Sequence, residues 1–338
     1  MKDQAVKSEP NILEIGQIAD SGATPGFSVA IITPEFSKSI SHGCFTDARD
    51  KEVGEETMYD LASVTKLYTT AVLLRLYEHG KLSIYDVCAK YLENFAGSKV
   101  QLIDLLTHRV DFGIELSKFR VRYPTTFAQE ILKIKPPAEP ASDVHYANLG
   151  FIYLGKIVEM VENQSLDIVT KNFFIEMGLH RTTTGVHIKA DRTLTPPTEV
   201  MGNDVVQSET HDESARLLGG VAGNAGVFAS ARDLALFGNA WVNGKIIGQG
   251  TTADVFKNYN LSGRHPQGLG WWQRLPASSG EIRLRSAFCH PGFTGALLLV
   301  NPLTEKVCAF TCNRTYYGRG NERHRKIWEL LAKWADET

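Results

Sequence analysis

Two hydrophobic periods divide this chain, and their order restricts the fold more than any other feature. Alternation with a period of two marks a half-buried strand, and spacing of three and four marks a helix. Strand-like segments occur near the two ends: Phe27–Thr33 and Lys38–Phe45, joined by Pro34-Glu35, then Glu281–Arg285, Gly295–Val300 and Lys306–Thr311, the last two joined by Asn301-Pro302. Between them the pattern is helical over Leu67–His79, Val100–Thr107, Phe127–Ile134, Leu149–Glu162 and Leu166–Met177. A helix opened by Pro10 (Asn11–Asp20) and another over Glu322–Asp336 close the two termini. Strands from both ends must pair to satisfy their backbones. The expectation is therefore an α+β fold: one antiparallel sheet built from both chain ends, flanked by the terminal helices, with a large, mainly helical insertion. It forms a single domain over residues 10–338, with a sheet lobe (10–60 plus 265–338) and a helical lobe (61–264). The cleft between two such lobes is a common ligand site.

Composition narrows the class of partner. Of 338 residues 43% are hydrophobic, enough for a sizeable core, and the net charge of −2 gives no footprint for nucleic acid or an anionic membrane. The densest basic cluster, Arg319–Lys326, is read as the solvated face of a helix. Five cysteines (Cys44, Cys88, Cys289, Cys308, Cys312) with no C-x-x-C argue against a disulfide framework or zinc site. Cys308 and Cys312 share one face of a strand as small core residues. No apolar run approaches the ~20 residues of a membrane span. Met1–Pro10 lacks the pattern of a cleaved leader, so a cytoplasmic location is expected. Lys189–His211 reads as loop. The glycine-rich run Gly219–Phe228 lacks a Gly-Lys-Ser/Thr ending and reads as tight backbone packing rather than a nucleotide site.

Three short patterns carry chemistry. Ser63 and Lys66 stand three apart where polar sequence gives way to the helix Leu67–His79, so a hydroxyl and an amine share one face. The hydroxyl lies in the first turn, where free amides favour negative charge. A desolvated lysine can act as base for a serine nucleophile, although a serine at a helix start also serves simply as a cap. Tyr146-Ala147-Asn148 precedes the helix Leu149–Glu162, where core packing plus an N-cap is the favoured reading of the pattern taken alone. His290-Pro291-Gly292 precedes the strand Gly295–Val300 and can be a turn.

In this order the three resemble the motifs Ser-x-x-Lys, Tyr-x-Asn and Lys/His-Thr-Gly of the penicillin-recognising serine hydrolases: class C β-lactamases, D-Ala-D-Ala carboxypeptidases and related esterases. The likeness runs from about Gly26 to Asn313 and takes in Leu105-Leu106-Thr107-His108 and the glycines of 211–237. It implies a β-lactamase-like domain that cleaves an ester or D-amino-acid peptide or amide through a Ser63 acyl-enzyme. Lys66 and Tyr146 would share the general-base work, with a Lys66 ammonium, and a protonated His290, lowering the Tyr146 pKa toward a phenolate. Asn148 would bond Lys66 or a substrate amide. The amides of Ser63 and Phe293, after Gly292, would hold the oxyanion. No cofactor or metal is implied, and the partner is a small ester, peptide or β-lactam-like ligand. Two departures weaken a carboxylate grip: His290 replaces Lys, and Pro291 supplies neither hydroxyl nor N–H. Weak or no β-lactamase activity is therefore expected. A non-catalytic penicillin-binding-like sensor and a transacylase are the alternatives. His211 and Asp212 either line the cleft or bond within a loop.

Overall fold

The computed structural model describes residues 9–188, 192–261, 263–278 and 280–337. Met1–Ser8, most of the segment examined for a leader, and Lys189–Asp191 of the expected loop lie outside them. Five strands form one antiparallel sheet in the order Phe288–Pro291, Leu297–Asn301, Lys306–Cys312, Gly26–Ile32 and Ser37–Gly43. The N-terminal hairpin joins the C-terminal meander through the pairing of Gly26–Ile32 with Lys306–Cys312, in which Phe27 stands opposite Cys312 and Ile32 opposite Val307. The sheet is thus built from both ends of the chain, but the expected strand Glu281–Arg285 is not part of it: Gly280–Arg283 pairs with Arg274–Ala277 in a separate hairpin, and Phe288–Pro291 takes the edge.

Side-chain alternation assigns its two faces. Phe27, Val29, Ile31, Cys308, Phe310 and Cys312 face the terminal helices Ile12–Ile18 and Arg325–Asp336, against Ile15, Ile327, Leu331 and Trp334. Ala30, Leu298, Val300, Val307 and Ala309 face the other way, into a larger core shared with the helices of the middle of the chain. One of those, Ala231–Val242, capped by Ser230 as its sequence predicts, lies directly on this second face. It belongs to the stretch 61–264, so the sheet is covered on both sides. All five cysteines are free.

The middle block is not purely helical. Tyr59–Asp60, Val227–Ala229 and Thr182–Thr184 form a small second sheet beneath the start of the helix Thr65–Glu78. Within the stretch read as loop, Glu199–Met201 and Asp204–Val206 pair as a hairpin. Three-residue strands are too short to show a period. The glycine-rich run packs as expected. A Cβ on Gly223 would lie 1.9 Å from the Phe151 carbonyl oxygen, so only glycine lets this backbone rest on the helix Asn148–Glu162. Among the described residues no helix is long and apolar enough to cross a membrane.

Candidate active site

Ser63 occupies a short 3-10 turn, Ala62–Val64, immediately before the helix Thr65–Glu78, rather than the first turn of the helix itself. The turn is strained: Ala62 has φ +44°, a left-handed conformation that costs about 1–3 kcal/mol for a residue with a Cβ. Buried Asp60 holds it, accepting from the Ala62 amide at 2.7 Å through one carboxylate oxygen and from the His211 amide at 2.7 Å through the other. The turn presents Ser63 to a cavity of about 490 Å³ whose walls include Tyr146, Asn148, Gly292 and Phe293.

Lys66 lies behind Ser63 and is fully buried. Its Nζ is 2.9 Å from Ser63 Oγ, 2.9 Å from Asn148 Oδ1 and 3.1 Å from the Asn224 carbonyl oxygen. Burial lowers its pKa to about 7, against the opposing charge of Asp212. As a free amine it donates to Asn148 and Asn224 and keeps its lone pair for the Ser63 hydroxyl. Tyr146 completes the pair: its hydroxyl donates to Ser63 Oγ at 2.8 Å. The ring edge is open to the cavity (42% of the residue is exposed), but the hydroxyl is enclosed, and desolvation raises its pKa above 10.0. The expected phenolate is thus overturned. Tyr146 is a neutral phenol: loss of water and the Asp212 carboxylate outweigh the hydrogen bond to Ser63.

The third motif lies on the edge strand Phe288–Pro291 itself, not in a turn ahead of the next strand. The period of two turns His290 inward, stacked at an angle on Trp272 with centroids 5.2 Å apart and fully buried. Burial and the nearby Lys66 lower its pKa to about 3, so the protonated His290 considered above is excluded near neutrality. Its Nδ1 bonds the Pro291 carbonyl at 2.9 Å, and it does not reach the cavity wall, whereas Pro291, Gly292 and Phe293 do. Gly292 is held by closeness. A Cβ there would lie 2.4 Å from the Leu61 carbonyl oxygen, at the entry to the turn that carries Ser63. Gly292→Ala should push the strand end off that turn and lower kcat at least tenfold with a smaller change in Tm, measured with a chromogenic ester beside thermal melting. An unchanged kcat would show that the contact does not set the site. Among the described residues neither the Ser63 nor the Phe293 amide donates to a protein acceptor, leaving both available to an oxyanion.

The model of the Beta-lactamase family matches residues 14–332. The chain belongs to this family. Over 305 residues it is 28% identical to a protein of Salmonella typhimurium (strain LT2) provisionally named D-alanyl-D-alanine carboxypeptidase, covering 77% of this chain and 70% of the relative. Two solved structures share the fold. The penicillin binding protein of Bacillus halodurans is 18% identical with a TM-score of 0.71, over 94% of this chain and 99% of that one. A D-amino acid amidase from Ochrobactrum anthropi SV3, complexed with L-phenylalanine amide, is 17% identical with a TM-score of 0.70, over 95% and 98%.

Within this family member the site includes residues that motif reading alone misses. Asn224 offers its carbonyl to Lys66 only because Gly223 packs on the helix below. The density of glycines was the signal for a close backbone approach, but not for what is approached. Asp60 and Trp272, which stands edge-on to the Tyr146 ring at 5.2 Å, carry no motif at all. His211 and Asp212 do line the cavity, and His211 Nε2 lies 3.0 Å from the buried Glu199 carboxylate. That carboxylate takes a bidentate bond from Arg319 at 2.7 and 2.9 Å, and Arg319 also reaches Glu213. Arg319–Lys326 is therefore not one solvated helix face. The helix begins at Arg325, and Arg319 is an ion-paired loop residue on the cavity wall. Among the described residues no cluster of metal-ligating side chains occurs.

Proposed function

We propose that this protein is an acyl-serine hydrolase that cleaves an ester or a D-amino-acid peptide or amide through a covalent ester on Ser63. The observation that carries the reading is the position of Ser63 Oγ, 2.9 Å from a fully buried amine and 2.8 Å from a neutral phenol. Lys66 takes the Ser63 proton as Oγ adds to the carbonyl carbon. The oxyanion lies between the Ser63 and Phe293 amides, where preorganised donors act in a partly dry site. The Tyr146 hydroxyl gives its proton to the leaving group and is reprotonated by the Lys66 ammonium, which restores both groups. Water then adds to the acyl-enzyme by the same steps in reverse.

The wall contributed by the third motif offers no ammonium and no hydroxyl for a substrate carboxylate, and weak or no β-lactamase activity follows. The test is intact-protein mass spectrometry after exposure to a short p-nitrophenyl ester and to an alkyl phosphonate, with the adduct mapped by digestion. A single adduct on the Ser63 peptide is expected. Ester turnover with the adduct elsewhere would sink the reading. A non-catalytic binding protein would show neither turnover nor adduct.

A further inference from the structure

The cavity wall carries four arginines and three carboxylates: Arg120, Arg314, Arg319, Arg325, Asp212, Glu213 and Glu322. Most cancel locally. Arg319 pairs with Glu199 and Glu213, Arg120 also with Glu213, and Arg325 with Glu322. Two opposite charges are left. Arg314 is 5% exposed and has no carboxylate within ion-pair distance among the described residues. Its Nε donates to the Phe293 carbonyl at 2.7 Å, and its Nη1 to the carbonyls of Arg319 and Asn321 at 2.9 and 2.6 Å. No bond to a described protein atom uses Nη2. Beside it His324, 2% exposed, lines the same wall, packed edge-on against Trp328. Asp212 is the converse. One of its oxygens takes the Ala215 amide at 2.8 Å, and no cation among the described residues pairs with it.

A buried guanidinium without a counter-ion is costly unless a ligand supplies one, and its planar fork matches a carboxylate. Both charges line the cavity that holds Ser63. The Arg314 guanidinium lies over the Phe293 ring at 4.4 Å, and the His211 ring, next to Asp212, stacks on Phe293 at 5.6 Å. We propose that the cavity selects a small zwitterion, its carboxylate received by Arg314 and its ammonium by Asp212. This rests on the serine-hydrolase reading and deepens it. The carboxylate grip missing from His290-Pro291-Gly292 is supplied from the segment after the last strand. The preferred substrates are unblocked aminoacyl esters or dipeptides, not N-acylated peptides.

The test uses alanyl-lactate, in both enantiomeric forms. This ester has an ammonium on one side of the carbonyl and a carboxylate on the other. It is compared with its N-acetyl and its methyl-ester derivatives, with p-nitrophenyl acetate as reference and products followed by mass spectrometry. The wild-type protein should cleave the free form of one enantiomer about 10- to 100-fold better in kcat/KM than either derivative, the range of one charge-assisted bond. Arg314→Met loosens Phe293 and slows every substrate, so the readout is the ratio. It should abolish discrimination against the methyl ester and keep discrimination against the N-acetyl form. Asp212→Asn, which can still cap Ala215, should do the opposite. Equal turnover of free and blocked forms, with the reference ester cleaved, overturns the zwitterion and leaves the hydrolase standing. Loss of one discrimination in both variants also overturns it. No turnover even of the reference ester overturns the hydrolase reading itself.

Discussion

Ser63→Ala is expected to lower ester turnover by at least about 10³-fold, to the background rate, and to abolish the covalent adduct. Losing a nucleophile that acts as a unit with its base costs this much or more. Folding should survive. Lys66 keeps its bonds to Asn148 and the Asn224 carbonyl, Asp60 still holds the Ala62 amide, and one lost hydroxyl bond is worth about 1 kcal/mol. Stopped assays with a p-nitrophenyl ester, alongside a thermal melt, separate the two effects. A variant that melts like the wild type and retains more than a tenth of its turnover would rule out Ser63 as the nucleophile.

How far such a site can be read from sequence depends on what kind of contact makes it. Four of the five strands were legible because they are long enough for a period of two, whereas the four-residue edge strand Phe288–Pro291 was not; the faces follow from that period, Phe27, Val29 and Ile31 against one core and Ala30 against the other. The spacing of Ser63 and Lys66 was legible because a helix is a local ruler. The short strands Tyr59–Asp60 and Val227–Ala229 were not, since two or three residues contain no period. The contacts that tune the site are almost all long-range and many involve backbone. Asn224 meets Lys66 through a carbonyl every residue possesses, and Arg314 meets Phe293 in the same way. Protonation states were the least accessible. Lys66, Tyr146 and His290 were each placed near the site, yet their charges depend on desolvation, which only packing reveals. That is why the Tyr146 phenolate and the His290 cation gave way to neutral groups.

This same desolvation makes the pH profile the sharpest test of the base. In the proposed mechanism the functional form of Lys66 is the free amine, so activity is lost as pH falls through its pKa. With that value near 7, kcat/KM, which reports the free enzyme, should be half-maximal close to pH 7 and fall about tenfold per unit below it. His290, His108 and Tyr146 do not produce that limb. Burial holds His290 at about 3 and His108 well below 6.5, and it raises Tyr146, so the phenol stays protonated through the neutral range. Asp212 is the group that opposes the depression of Lys66. Asp212→Asn should therefore move the limb to lower pH, so that the variant retains a larger fraction of its own maximum at pH 6 than the wild type does. Lys66→Met should lower kcat/KM by about 10²–10⁴-fold, the usual worth of a general base, and remove the limb. A limb that persists in Lys66→Met, or one that ignores Asp212→Asn, would mean that Lys66 is not the base. The proton of Ser63 would then have to leave through Tyr146.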